Sequence, residues 1–339
     1  MIVFAVESSC DETSVAIVKN NKEILSHIIF NQQVHKKFGG VVPELASRAH
    51  LQILQSITPK ALKEAKIELD EIDLFCATCG PGLIGGLLVG STFTKALAIG
   101  CKKPFFPINH LEGHLLSPSF NNKNIFPCLS FLLTGGHTQI YFIKSINNYK
   151  LIGETKDDAM GESFDKVAKL MNLKYPGGPE IEKLAKNGNK NYFILPHPLS
   201  GKKDLNFSFS GIKTAVSLIV KKHKKIDDDF KKNMSASFQK IIIDILKNKL
   251  ELSLNFLMTQ NKKIKTISLV GGVASNNAIQ YCFVEIAKKN KCRLIFPPKK
   301  MFSDNAAMIA WACIQKFKKN KKSDLKFIAN PRLSISNIK

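Results

Sequence analysis

Two stretches of this 339-residue chain share one pattern, in which an apolar strand, a polar turn and a second strand follow one another. The first covers residues 2–18, with its turn at 7–13, and the second covers residues 129–143, with its turn at 134–139. A chain of this length is too long for one simple layer. We therefore expect two lobes, each containing one strand–turn–strand unit.

The stretches around these units alternate between helical and strand patterns. Helices are expected at residues 43–65, with a new start at Thr58-Pro59, and at 227–257. Buried strands are expected at 73–77, 266–270 and 293–296. Such alternation is typical of an α/β protein.

The polar turn at 7–13, which contains Asp11 and Glu12, resembles the first phosphate loop of the actin, sugar-kinase and Hsp70 superfamily. The double glycine after residues 266–270, followed by Asn276, is similar to the adenosine shelf of that superfamily. This resemblance implies an α/β, two-lobed, actin-like fold (the ASKHA superfamily, ribonuclease H-like and duplicated) with a nucleotide cleft between the lobes. We predict an N-terminal lobe of residues 1–106 plus 301–339. The second lobe, 107–300, would carry the metal and adenylate site.

A histidine pair marks a candidate metal site. His110 and His114 lie four residues apart in a predicted helix that begins after a short strand, with Asn109 as its N-cap. This spacing places both rings on one helix face, where they can reach one ion. Glu112 lies about 200° round the helix from His110, so it points away from such an ion, unlike the base of a metalloprotease. Two ordinary helical histidines are the alternative interpretation.

A candidate third ligand, Asp304, lies near the start of the closing helix, which is expected to end at about residue 319. An isolated aspartate in this position commonly caps the helix. As a ligand beside His110 and His114 it would complete a site of two histidines and one carboxylate with open positions, which is typical of a catalytic metal.

Composition adds limits on partners and location. Lysine and arginine total 50 against 27 acidic residues, and the net charge of +23 suits a polyanion such as RNA. Lysine clusters at helix ends and a general lysine bias are the alternative explanation. No apolar run is long enough to span a bilayer, and Glu7 comes too early for a signal peptide, so we expect a cytoplasmic protein without a membrane partner. The eight scattered cysteines indicate buried thiols.

Nine motifs, in order, resemble the TsaD family, also called Gcp and homologous to the Kae proteins. They are ESSCDETSVAIV, GPGL, NHLEGHLLS, TGGHTQ, GESFDKVAKL, YPGGP, FSFSGIKTAV, GGVASN and FSDNAAMIAW. The match runs from residue 2 to about residue 312, and GESFDK with YPGGP favours the bacterial form.

The resemblance implies transfer of a threonylcarbamoyl group from threonylcarbamoyl-AMP to N6 of adenosine 37, in tRNAs that read codons beginning with A. Its implied metal ligands, for Fe²⁺ or Zn²⁺, are His110, His114 and Asp304. The residues implied to contact the acyl-adenylate are Leu132, Leu133, Thr134, Gly135, Gly136, Asp165, Gly178, Glu182 and Asn276. Family members often have Asp at the position of Glu182. Asp11 and Glu12 fall on an acidic pair held to matter for activity.

Those residue types suit the reaction. The donor is an activated mixed anhydride, so no covalent nucleophile is needed. The metal can stabilise the leaving phosphate, the turn at 134–137 can donate hydrogen bonds to acyl or phosphate oxygens, and Asp11 or Glu12 can accept the amine proton. We favour Asp11.

Three alternatives are a kinase of the same superfamily, a metallopeptidase and a non-catalytic tRNA- or partner-binding scaffold. The resemblance also implies an inactive, TsaB-like paralogue that dimerises through helices of the N-terminal lobe, a small TsaE-like ATPase, and a separate synthase for the adenylate. The helical segment 44–66 is the candidate surface for the paralogue.

Overall fold

The structure is a computed structural model that describes residues 1–199, 204–223, 225–318 and 323–335. The predicted end of the closing helix, at residue 319, and the last residues of the predicted N-terminal lobe, 336–339, lie outside these ranges. Among the described residues, no helix has the length and apolar character needed to cross a membrane.

Strands and helices alternate along the chain, as the sequence pattern predicts. The strands are β1 (Ile2–Glu7), β2 (Glu12–Lys19), β3 (Ile24–Asn31), β4 (Leu74–Gly80), β5 (Phe105–Asn109), β6 (Cys128–Leu133), β7 (Thr138–Ser145), β8 (Asn148–Glu154), β9 (Thr266–Val270) and β10 (Arg293–Ile295). The α-helices are α1 (Pro43–Ala65), α2 (Ile84–Gly100), α3 (His110–Leu116), α4 (Met160–Leu170), α5 (Gly177–Ala185), α6 (Ser210–Lys222), α7 (Asp228–Thr259), α8 (Asn277–Lys289) and α9 (Ala306–Phe317).

The first sheet has the strand order β3-β2-β1-β4-β5. β1, β2 and β3 are antiparallel neighbours, whereas β4 pairs in parallel with β1 and β5. Side chains alternate across a strand, so Phe4 and Val6 pack with Leu54 and Ile57 of α1 on one face. α9 covers β1 and β2 on the other face and brings its N-terminus to the sheet, where the Ala306 N–H donates to the Ser14 hydroxyl over 3.0 Å.

The second sheet has the order β10-β9-β6-β7-β8. β6 and β7 form an antiparallel hairpin, and β9 and β10 continue the sheet in parallel from β6. Phe131 packs edge-on against Phe283 of α8, with ring centroids 5.0 Å apart. Each sheet therefore combines an antiparallel hairpin with parallel strands, and the two predicted strand–turn–strand units are the hairpins β1–β2 and β6–β7.

The chain divides into two compact units. Unit 1 contains residues 1–124, 146–149 and 297–339, and unit 2 contains residues 125–145 and 150–296. The predicted lobe boundary lay at residue 107, which assigned His110 and His114 to the second lobe. The division by contacts assigns both histidines to unit 1, because α3 packs against β5 and α9.

Helix α1 corrects the expected interruption at Thr58-Pro59. It runs without a break from Pro43 to Ala65 with Pro59 inside it. Leu54, Ile57 and Ala61 are buried in the core of unit 1 on both sides of the proline. Burial of this continuous apolar face offsets the hydrogen bond that proline removes.

Candidate active site

Helix α3 begins at His110 because Asn109 caps it. The Asn109 side-chain oxygen accepts hydrogen bonds from the N–H groups of Leu111 (2.9 Å) and Glu112 (3.2 Å), which confirms the predicted N-cap. Gly113 allows α3 to pack closely on α9, since a Cβ there would lie 2.8 Å from the Ile309 side chain. The helix with the two histidines is thereby held at the start of α9.

The structure brings the three predicted ligands together. Nε2 of His114 lies 3.0 Å, and Nε2 of His110 lies 3.4 Å, from one carboxylate oxygen of Asp304. One ligand atom from each residue lies within 4.8 Å of the others. Asp304 reaches the histidines because it is not the cap of α9; Asn305 takes that position and accepts from the Met308 N–H. Two imidazoles and one carboxylate fit a catalytic zinc or iron site in number and chemistry.

Electrostatics couple the three side chains. Burial acts to lower the pKa of His110, but the carboxylates of Asp304 and Glu7 outweigh it and raise that pKa well above its ordinary value. Burial acts to raise the pKa of Asp304, yet the two histidines hold it well below the usual range. The pKa of His114 is lowered, mainly by burial. A proton therefore stays on this cluster when no cation is bound, and a metal ion would replace it.

A fourth residue, Glu7, was missed by the sequence analysis. One oxygen of its carboxylate lies 3.1 Å from Nδ1 of His110, and burial, which would raise its pKa, is outweighed by His110, so the pKa is lowered. A glutamate that ends an otherwise apolar, buried strand requires a partner, and this was the signal in the sequence that could have identified it.

Of the predicted acidic pair, Asp11 lies in the turn between β1 and β2, and Glu12 is the first residue of β2. Burial, followed by the negative charges of Asp304 and Asp11, raises the pKa of Glu12 well above its ordinary value. Helix α1 contacts this turn, since Nε2 of its residue His50 lies 3.0 Å from the Cys10 carbonyl oxygen. Gly82, with φ +155°, approaches Ser9 so closely that a Cβ would lie 2.6 Å from the Ser9 carbonyl oxygen. The small residues before α2 thus serve close packing against the turn.

Glu112 points away from the metal ligands, as predicted. Its two oxygens accept from Tyr149 (2.8 Å) and Lys316 (2.9 Å) inside unit 1. Burial raises the pKa of Glu112 despite the lysine. The ion pair connects α3, which contains the two histidines, to α9, which begins two residues after Asp304.

The predicted adenylate residues lie in unit 2, at the end of β6 and around α4, α5 and α8. The turn after Leu132 and Leu133 is closed by the His137 N–H, which donates to the Thr134 hydroxyl over 2.9 Å. The N–H groups of Gly161 and Glu162, at the start of α4, donate to the carbonyl oxygens of Thr134 and Gly135. A Cβ added at Gly135 or Gly136 would meet no heavy atom within 4 Å among the described residues, so this side of the turn is open.

The remaining adenylate residues hold local structure in unit 2. Asp165 accepts from the Gly177 N–H over 2.6 Å and so orders the turn before Gly178. Asn276 caps α8 by accepting from the Ile279 N–H over 3.1 Å. Glu182 accepts from the Asn277 backbone and side chain, both at 2.9 Å. The structure thus brings Glu182 and Asn276 to the same end of α8, and their roles toward an adenylate stay predictions.

Comparison with known proteins is consistent with this geometry. The family model described as TsaD, tRNA N6-adenosine threonylcarbamoyltransferase, matches residues 23–311. The tRNA N6-adenosine threonylcarbamoyltransferase of Clostridium beijerinckii is 44% identical over 98% of both chains. The protein of the same name from Thermosipho melanesiensis is 47% identical, over 99% of this chain and 100% of its own.

A solved structure supports the fold. The (R)-2-hydroxyglutaryl-CoA dehydratase component A of Acidaminococcus fermentans matches 95% of this chain and 99% of its own, with a TM-score of 0.52 and 14% identity. This likeness, with the two mixed sheets, confirms the predicted α/β fold, which the chain shares with that protein. Because the family model covers most of the chain and the relatives match it over nearly their full length, the chain belongs to the TsaD family of tRNA N6-adenosine threonylcarbamoyltransferases.

Proposed function

We propose that the chain uses threonylcarbamoyl-AMP as the donor for N6 of adenosine 37 in tRNAs that read codons beginning with A. As a TsaD family member it is a transferase that forms N6-threonylcarbamoyladenosine on tRNA. The observation that carries the finer proposal is the convergence of His110, His114 and Asp304 beside the acidic turn of unit 1. A tRNA substrate is consistent with the net charge of +23, and we propose a cytoplasmic location for the protein.

His110, His114 and Asp304 would hold one divalent ion, Fe²⁺ or Zn²⁺. When bound, the ion supplies a Lewis acid that stabilises negative charge on the departing phosphate. The residues themselves favour such an ion, since their nitrogen and oxygen atoms already converge and a carboxylate compensates the charge.

The acidic turn supplies the group that accepts the proton of the attacking amine. Burial, with the negative charges of Asp304 and Asp11, raises the pKa of Glu12 well above its ordinary value and so favours its protonated form. We therefore assign proton acceptance to Asp11 and a hydrogen-bonding role to Glu12. This assignment agrees with the preference drawn from the sequence.

The turn after β6 would bind the acyl-adenylate. Within the described part of the chain, the N–H groups of Gly135 and Gly136 donate to no protein acceptor. They can donate to acyl or phosphate oxygens, a use of backbone amides that suits developing negative charge. Leu132, Leu133, Asp165, Gly178, Glu182 and Asn276 would complete the binding surface.

For the partners, we propose the exposed side of α1 and α2 as the surface for a TsaB-like paralogue. Leu51 of α1 and Leu88 of α2 are 53% and 47% exposed, and Gly85 lies against Ser47, so the two helices present one apolar surface. A TsaE-like ATPase is the further partner that the family resemblance suggests.

Incubation with threonylcarbamoyl-AMP and unmodified tRNA, followed by nucleoside mass analysis, tests the reaction with and without the two partners. We expect the modified nucleoside from the parent and none from the H110A/D304A double variant. Unchanged modification by the double variant in cells would favour a scaffold. Transfer of phosphate from ATP to a small substrate, or cleavage of a peptide, would favour the kinase or peptidase alternative.

A further inference from the structure

Glu7 contacts the ring of one metal ligand without belonging to the ligand set. It is the last residue of β1 and has no solvent exposure. Its second oxygen accepts from the Ser9 N–H over 2.7 Å, and the Thr78 hydroxyl of β4 donates to the oxygen that faces His110. The turn after β1 and the adjacent strand β4 therefore hold this carboxylate in one orientation.

This contact determines which nitrogen of His110 is available to a cation. An ionised carboxylate only accepts hydrogen bonds, so Nδ1 of His110 must carry a hydrogen and donate it to Glu7. Nε2 then directs its lone pair toward Asp304 and His114 once a cation replaces the proton there. The Ser9 hydroxyl, 3.2 Å from Nδ1, lies on the same side of the ring as Glu7.

The second histidine has no comparable support. Nδ1 of His114 is buried and has no hydrogen-bond partner among the described residues, while its Nε2 lies against Asp304. Histidine ligands of metals usually donate their second N–H to a carboxylate or carbonyl, and loss of that partner typically weakens metal binding by about 10–100-fold. Among the described residues, Glu7 is therefore the one carboxylate that accepts from the second ring nitrogen of a candidate metal ligand.

We propose that Glu7 is the positioning residue of the metal centre and sets the tautomer and the ring orientation of His110. The inference rests on the proposed metal site and is independent of the acyl donor. Because Glu7 also binds the Ser9 N–H, it connects the position of the ligand to the start of the acidic turn that contains Asp11. In this role the glutamate acts through the ring of His110 and is not one of the three groups whose ligand atoms converge.

The test is a metal-binding titration of the full chain with Zn²⁺ against a chelator, together with the visible absorption spectrum of bound Co²⁺. The variants are E7Q, which keeps an oxygen acceptor but loses the charge, and E7L, which removes the acceptor. T78V removes one of the groups that hold Glu7. We expect weaker Zn²⁺ binding by about 10-fold in E7Q and about 100-fold in E7L, with T78V less affected than either. The Co²⁺ spectrum of E7L should change in shape, which a loss of stability alone would not cause.

E112Q is the matched control, because Glu112 is also a buried carboxylate and lies on the helix of the two histidines but contacts neither ring. Circular dichroism identifies a temperature at which every variant is folded. The H110A/H114A variant measures the Zn²⁺ binding that occurs at sites other than the proposed centre. Parental Zn²⁺ affinity in both Glu7 variants, or an equal loss in E112Q, would overturn the proposal. If the parent shows no binding above the background, the proposed metal centre itself is wrong. If the Zn²⁺ titrations give the expected results but the parent does not modify tRNA with threonylcarbamoyl-AMP, the positioning role still holds and the proposed donor is wrong.

Discussion

The proposed metal centre of unit 1 and the proposed adenylate-binding residues of unit 2 are built in different ways. In unit 1, His110 and His114 are 5% and 0% exposed, and both rings lie against neighbouring carboxylates. In unit 2, Gly135, Gly136 and Gly178 have open space beside their backbone, and Asn276 is a helix cap. The region in unit 1 thus depends on buried side chains that lie against carboxylates, and the region in unit 2 depends on exposed backbone. Substitutions of the buried groups should therefore affect stability, and substitutions beside the exposed backbone should affect ligand binding.

The strongest expected effect concerns the buried ion pair beside the candidate metal ligands. E112Q removes the carboxylate charge from Lys316, whose side chain is 9% exposed. We expect a loss of about 3–5 kcal/mol in the free energy of unfolding, because the ammonium stays in a buried site without that charge. Urea denaturation measures it. The E112L/K316M double variant should recover much of this loss. If it were as unstable as E112Q, side-chain shape and not charge compensation would determine the stability of this contact.

His27 offers the opposite case within unit 1, a buried histidine without a carboxylate partner. Both ring nitrogens lack a hydrogen-bond partner among the described residues, and burial, with a smaller effect of Lys300, lowers its pKa to about 4. The folded pKa lies below the unfolded value of 6.5. The unfolded chain therefore binds the proton first, and stability falls as the pH drops from about 6.5 to 4. Compared with H27Q, the parent should lose up to about 3 kcal/mol more over that range. Identical pH profiles in urea denaturation would contradict this.

Two adjacent glycines in unit 2 separate packing from ligand contact. A Cβ at Gly177 would lie 2.4 Å from the Ala168 Cβ, whereas one at Gly178 would have no neighbour within 4 Å among the described residues. We expect G177A to destabilise the fold by about 1–3 kcal/mol through overpacking. G178A should unfold like the parent but raise the KM for threonylcarbamoyl-AMP. An unchanged KM in G178A would remove Gly178 from the proposed binding surface.

The smallest expected effect is that of N276A. Loss of the side-chain oxygen that caps α8 should cost about 1 kcal/mol of unfolding free energy. If Asn276 also contacts the adenylate, the KM for the donor should rise by more than this modest instability explains. N305A, which removes the corresponding cap of α9 in unit 1, is the matched comparison for the stability part. A KM effect no larger than expected from the lost cap would leave Asn276 with a structural role alone.

Much of the site could be predicted because its signals are local. The spacing of His110 and His114 places both on one face of any helix, and Asn109 before them is a typical cap. The succession of an apolar strand, a polar turn and a second strand identified both hairpins. The course of α1 through Pro59 could not be predicted in this way, since the burial of Leu54, Ile57 and Ala61 against the first sheet depends on residues distant in sequence.

The sequence by itself determined the periodic elements, the paired histidines, the direction of Glu112 away from the candidate metal ligands, and the family. Only the tertiary structure decided that Asp304 faces the histidines while Asn305 caps α9, that Glu7 holds His110, and that Glu112 binds Lys316 and Tyr149. The physical reason is the distance along the sequence over which each interaction acts. Helix geometry and capping act over a few neighbouring residues, whereas the compensation of a buried charge depends on which distant side chains the packed sheets and helices bring within hydrogen-bond distance.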